Sequence, residues 1–144
     1  ELAFCRISTT MTRNATRLLG PIMPRVAASA VGRTLAVGQL YGRPWRLPPE
    51  SLVEDAQLMA KAPGFDGARD HGLPWTYRDG IAADIPITIA WGTHDWLLIP
   101  RQGRRAQRLV PQARMVWLQG CGHLPMWDDP PLVTRLLLEG SARP

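Results

Sequence analysis

An aspartate and a histidine stand where acid–base chemistry could be done. Asp95 follows the apolar run IPITIAWG by three residues, within IAWGTHDWLLIP at 89–100. His123 follows a second apolar run, ARMVWL, within the glycine-rich stretch GCGHLP. A carboxylate that accepts an imidazole Nδ1–H fixes the tautomer, leaves Nε2 free as a base, and stabilises the imidazolium that forms on proton transfer. The pair can do this only if the fold brings together residues 28 positions apart. Taken alone, Asp95 also fits a turn aspartate closing a strand. The residues after it, Trp96-Leu-Leu-Ile, are unusually apolar for a solvated turn and suit a loop facing a pocket.

The elements around the pair are legible from periodicity. Ile85–Ala90 is a short β-branched run bounded by turn residues, with Pro86 at its start, where a missing ladder N–H matters least. Arg101–Leu109 reads as a helix and Ala113–Leu118 as a second strand. Pro131–Leu138 reads as a helix capped by Asp128 or Asp129, with proline in its first turn. Two strands joined by a crossover helix are expected to be parallel neighbours. Asp95 and His123 then lie in adjacent loops at the carboxyl edge of the sheet, where α/β folds carry chemistry.

The sequence before Asp79-Gly80 has a different texture. Helices are expected over Thr10–Leu19, Pro21–Leu40 and Glu50–Ala62, with another short turn at Phe65–Arg69. The proline-rich link GRPWRLPP interrupts them, and glycine and proline dominate from Gly72 to Gly80. Trp45 and Trp75 sit in such links as candidate anchors. The expected organisation is a helical region over 1–80 and an α/β segment over 81–144. Two strands cannot form a sheet buried on both faces, so the second segment is expected to be part of a larger one.

IPITIAWGTHDWLLIP, RQGRRAQRLVPQARMVWL and QGCGHLPMWDDPPLVTRLLLEG together resemble the C-terminal part of the α/β-hydrolase fold family. In that family a Trp-Gly-x-x-Asp loop supplies the triad acid, and a Gly-His-x-Pro loop, one helix and one strand later, supplies the histidine. An acidic-Pro helix start comes next. The resemblance implies that Asp95 is the acid and His123 the catalytic histidine, and that residues 1–80 form the helical cap, or lid, of such a protein. It implies a small-molecule carbonyl substrate, such as an ester, lactone or amide, and no cofactor. Trp96, Met126, Trp127 and His94 flank the two loops as candidate substrate-pocket residues.

The family's chain order is nucleophile, acid, histidine, with the nucleophile on a G-x-S-x-G elbow. No such elbow occurs here. Ser29 falls inside a helical pattern, Ser51 reads as a helix cap, and Ser8 and Ser141 are near the ends. Nor does an aspartate occupy an elbow, as a dehalogenase-like or epoxide-hydrolase-like member would require. Cys121, two residues before His123, reads as a small packing residue. The first residue is Glu1, not methionine, so a fragment whose nucleophile lies upstream is expected. The alternatives at this level are a catalytically inactive fragment or binding module, with self-association through an exposed sheet edge, or a member whose upstream nucleophile is an aspartate, with carbon–halogen or epoxide chemistry.

The bulk numbers exclude several classes. The 144 residues are 45% hydrophobic, enough for a core. No run of about 18 apolar residues and no signal peptide occurs, so no membrane association and a cytoplasmic setting are expected. Cys5 and Cys121 cannot build a disulfide framework, and Cys121-Gly-His123 lacks the second ligand pair of a structural metal site. The net charge of +5 comes almost wholly from arginine, since Lys61 is the sole lysine. Arg101, Arg104, Arg105 and Arg108 share one helix face. With no aromatic or glycine pattern interleaving the stripe, they read as a solvated face rather than a nucleic-acid surface.

Overall fold

A computed structural model of the chain describes residues 2–72, 81 and 84–141. The chain divides into two compact units, Glu1–Ala36 with Trp45–Arg78, and Val37–Pro44 with Asp79–Pro144. It is a mixed α/β protein. Among the described residues the first unit is helical, and the second carries a two-stranded parallel sheet. Residues 37–44, which the sequence places in the helical region, belong with the strands. Trp75 and the expected link at 73–80 lie outside the described residues. No described helix is long and apolar enough to cross a membrane.

The first unit holds α1 (Leu2–Leu19), α2 (Met23–Ala28), α3 (Ala30–Val37, whose last residue belongs to the second unit), α4 (Pro49–Lys61) and α5 (Phe65–Gly67). Helix α1 begins well before the expected Thr10. The Thr9, Thr10 and Thr12 hydroxyls donate to the carbonyls of Cys5, Arg6 and Ser8 at 2.6, 2.7 and 2.9 Å. Those hydroxyls are satisfied within the helix instead of competing with it. The single helix expected over Pro21–Leu40 is broken. Ser29 is extended, at φ −107° and ψ 145°, and its Oγ accepts the Gly32 N–H at 2.9 Å. Ser29 is therefore a cap at a helix break, not a residue of helix interior. Ser51, in contrast, sits in the first turn of α4, which starts behind Pro48 without a side-chain cap.

Helix α4 packs on α1 and α2 over a core that includes Cys5, Met23, Ala27, Leu52 and Ala56. Two arginines of α1 reach its carboxyl end. Arg13 donates to the Ala62 carbonyl at 3.0 Å and Arg17 to that of Ala60 at 3.1 Å. Cations there complement the negative end of the helix dipole. Arg13 also pairs with Asp66 at 2.9 Å and stacks 4.5 Å over the Phe65 ring. That hydrogen bond holds the Asp66 carboxyl below the usual carboxylate range.

In the second unit, β1 (Thr88–Gly92) pairs in parallel with β2 (Arg114–Leu118), Gly92 lying opposite Leu118. β1 starts three residues later than the run Ile85–Ala90 suggests and continues through Trp91-Gly92. Pro86 has no N–H to offer, and pairing opens only where the Ile87 carbonyl accepts the Arg114 N–H at 2.9 Å. The strands are exposed at Thr88 and Arg114 and buried at Gly92 and Leu118, so the carboxyl edge is the protected one. Helix α6 (Pro100–Leu109) makes the crossover, with Pro100 at its first position. Its Arg101, Arg104, Arg105 and Arg108 are exposed. After one turn, α7 (Pro125–Asp128), comes α8 (Pro130–Ser141). Of its two expected caps, Asp129 serves, accepting the Leu132 N–H at 3.1 Å.

Gly103 is the point where α6 meets the sheet. A Cβ there would stand 2.8 Å from the Trp91 ring, whereas one at Gly140 of α8 would meet nothing. Alanine gains about 1 kcal/mol over glycine from helix propensity alone, and overpacking costs about 1–3 kcal/mol. Gly103→Ala is therefore expected to lower stability in denaturant unfolding, and Gly140→Ala to raise it by about 0.5 kcal/mol. An equal rise in both would contradict the packing of α6 on Trp91.

Candidate active site

The two loops that leave the carboxyl edge are stitched together by backbone bonds. The Thr93 N–H donates to the Leu118 carbonyl at 3.1 Å, and the His94 N–H to that of Cys121 at 2.9 Å. Thr93 Oγ1 accepts the Gly120 N–H at 2.9 Å. Gly120 has φ +71°, a left-handed conformation that side chains resist, and it turns the chain out of β2 toward the histidine. Gly92 and Gly122 face each other so closely that a Cβ on Gly92 would collide with the carbonyl oxygens of Cys121 and Gly122.

This stitching brings Asp95 to His123. His123 Nδ1 lies 3.1 Å from Asp95 Oδ2. The other oxygen, Oδ1, accepts the Leu97 N–H at 3.0 Å and the Leu98 N–H at 2.7 Å. Asp95 is 5% exposed, and the two backbone N–H groups donate to its carboxylate. An ionised carboxylate only accepts, so the imidazole proton belongs on Nδ1 and the Nε2 lone pair is left free. The imidazole is about a third exposed. Beside it is a hollow of about 150 Å³ lined by Ala90, Trp91, Gly92, Asp95, Leu98, Gly122, His123 and Pro125. Trp91 forms a fixed wall, its indole N–H donating to the Leu98 carbonyl at 2.8 Å.

Residues 40–43 form a strap across the histidine loop. The Leu124 N–H donates to the Leu40 carbonyl at 3.0 Å. Asp128 Oδ2 accepts the N–H groups of Gly42 at 2.9 Å and Gly122 at 2.7 Å, while Oδ1 accepts that of Arg43 at 2.7 Å. The Arg43 guanidinium returns to the Asp128 carbonyl at 3.1 Å. Asp128 is 7% exposed and is not the cap of α8, as the sequence allowed. Glycine is required on both sides, since a Cβ on Gly122 would lie 2.6 Å from the Gly42 nitrogen and 2.7 Å from the Leu40 oxygen. Sequence reasoning missed the strap. Its contacts are made by backbone groups, and the burial of Tyr41 beside them shows only in the fold.

The flanking candidates fall elsewhere. Trp96, Met126 and Trp127 are 61%, 50% and 44% exposed, His94 is exposed, and none of the four lines the hollow. Among the described residues, no group of three or more His, Cys, Asp or Glu side chains is arranged to hold a metal ion.

No family model matches the chain, and no solved structure matches it either. Over 46 residues, 32% of its length, it is 39% identical to proteins of Mycobacterium bovis and Mycobacterium tuberculosis that are described only as uncharacterized. The matched stretch is 14% of the length of those relatives.

Cys121 is fully buried, and its thiol is pushed up by burial and by the nearby Asp128 charge. The thiolate is the reactive form, so a raised pKa and burial both protect the group. In the native chain Cys121 is expected to resist iodoacetamide at pH 8 and to react once denaturant is added. Rapid native alkylation, located by peptide mapping, would contradict the packing of this loop.

Proposed function

We propose that the second unit is the acid–base half of an α/β-hydrolase, with His123 as general base and Asp95 as the triad acid that orients it. The Asp95–His123 pairing at 3.1 Å carries the proposal. Parallel strands delivering both loops to one edge, and the hollow beside the imidazole, support it. The Gly-His-x-Pro and Trp-Gly-x-x-Asp matches add the family resemblance. In this scheme Nε2 of His123 takes the proton of a nucleophile, returns it to the leaving group, and then activates water to release the acyl group. The nucleophile is supplied by a part of the protein outside these 144 residues. The substrate is a small ester or related carbonyl compound, held against the apolar wall of Trp91, Leu98 and Pro125. The first unit is the helical cap of such a protein.

The test is ester hydrolysis by the polypeptide that includes the sequence preceding Glu1, using p-nitrophenyl esters of short acids. His123→Ala is expected to lower kcat by about 10³-fold or more, and Asp95→Asn by a comparable factor, with KM little changed. The 144-residue chain by itself is expected to stay unlabelled by a fluorophosphonate. Hydrolysis that survives His123→Ala, or labelling of this chain alone, would refute the assignment.

A further inference from the structure

A buried carboxylate is costly unless donors surround it. Among the described residues of the second unit two are buried, and of these Asp95 is the one that touches the imidazole. Asp128 is surrounded by donors belonging to other segments, and α8 does not use it, because Asp129 caps that helix. Its three N–H partners are those of Gly42, Arg43 and Gly122, drawn from segments far apart in sequence. One of them immediately precedes His123. The residue immediately after His123, Leu124, is tied to the same strap through the Leu40 carbonyl. His123 is thus pinned on both sides, and Asp128 joins the strap to the histidine loop. The close approach of Gly42 and Gly122 leaves no room for the loop to shift toward the strap.

We infer that Asp128 is a positioning residue for His123: it holds the histidine loop against the Leu40–Arg43 strap so that Nδ1 meets Asp95. The inference rests on the proposed acid–base role for its catalytic meaning, but its structural readout needs no substrate. Without Asp128, three N–H groups lose their acceptor and repel one another's partial charges. The loop then relaxes, and the imidazole drifts from Asp95 while the sheet and the Asp95 loop remain.

The decisive comparison is by nuclear magnetic resonance on the 144-residue chain, native and Asp128→Ala. The His123 Nδ1–H resonance reports the pairing. The Trp91 indole N–H, bonded to Leu98, reports that the sheet and the Asp95 loop are intact. The expected result is loss of the His123 resonance with retention of that of Trp91. Retention of both would overturn the inference. If the variant does not fold, hydrogen exchange of the native chain decides. The His123 Nδ1–H is then expected to exchange no later than the Gly122 amide, because release of that amide frees the loop that holds the imidazole. A histidine proton that persists after Gly122 has exchanged would overturn the inference. In the active parent protein, Asp128→Asn is expected to lower kcat by about 10²-fold with KM held within about twofold. A parent with no hydrolytic activity would remove the proposed function while leaving the resonance result intact.

Discussion

Parallel pairing ends with Gly92 opposite Leu118, and that register sets the geometry of both loops beyond the sheet. The loops leave level with each other. The Leu118 carbonyl is close enough to take the Thr93 N–H, and the Cys121 carbonyl to take that of His94. A one-residue slip would turn every side chain to the opposite face and would separate the Asp95 and His123 loops. The register is secured by α6, whose Gly103 lets the helix settle on the Trp91 and Trp117 rings, and by the glycine contact between Gly92 and Gly122. Neither contact tolerates an added carbon without rearrangement.

Among the described residues of the second unit, two buried carboxylates, Asp95 and Asp128, divide the polar roles. Asp95 gathers two backbone N–H groups from its own loop and presents its free oxygen to His123. Asp128 gathers N–H groups from the strap and the histidine loop. In each case the charge is held by several fixed donors, which compensates desolvation and restricts the loops to one arrangement. Backbone donors are more rigid than side chains, so the imidazole is set by the fold rather than by mobile neighbours.

The crossover unit was legible because its physics is local. IPITIA and ARMVWL are β-branched or apolar runs with turn residues at both ends, and the stretch between them has helical spacing. The meeting of Asp95 and His123 is a consequence of that topology. Other features depend on contacts that no local pattern encodes. Asp128-Asp129-Pro130 looks like a helix start twice over, and only the strap distinguishes the two aspartates. The break at Ser29 was hidden by alanines on both sides, which favour helix wherever they stand. The strap itself, Leu40–Arg43, resembles a linker because its value lies in its backbone N–H and C=O groups, which carry no residue signature. Trp96 and Trp127 suggest a pocket by type, and they lie outside the hollow beside the imidazole, whose apolar lining comes from Ala90, Trp91, Leu98 and Pro125.

The central claim is that Asp95 holds the His123 imidazole as the Nδ1–H tautomer with Nε2 free, and nitrogen-15 chemical shifts of that ring test it most directly. For the neutral ring, the predicted result is a protonated Nδ1 and a pyridine-like Nε2, a pattern that Asp95→Asn abolishes. A neutral ring protonated at Nε2, or an even mixture of tautomers indifferent to Asp95, would contradict it.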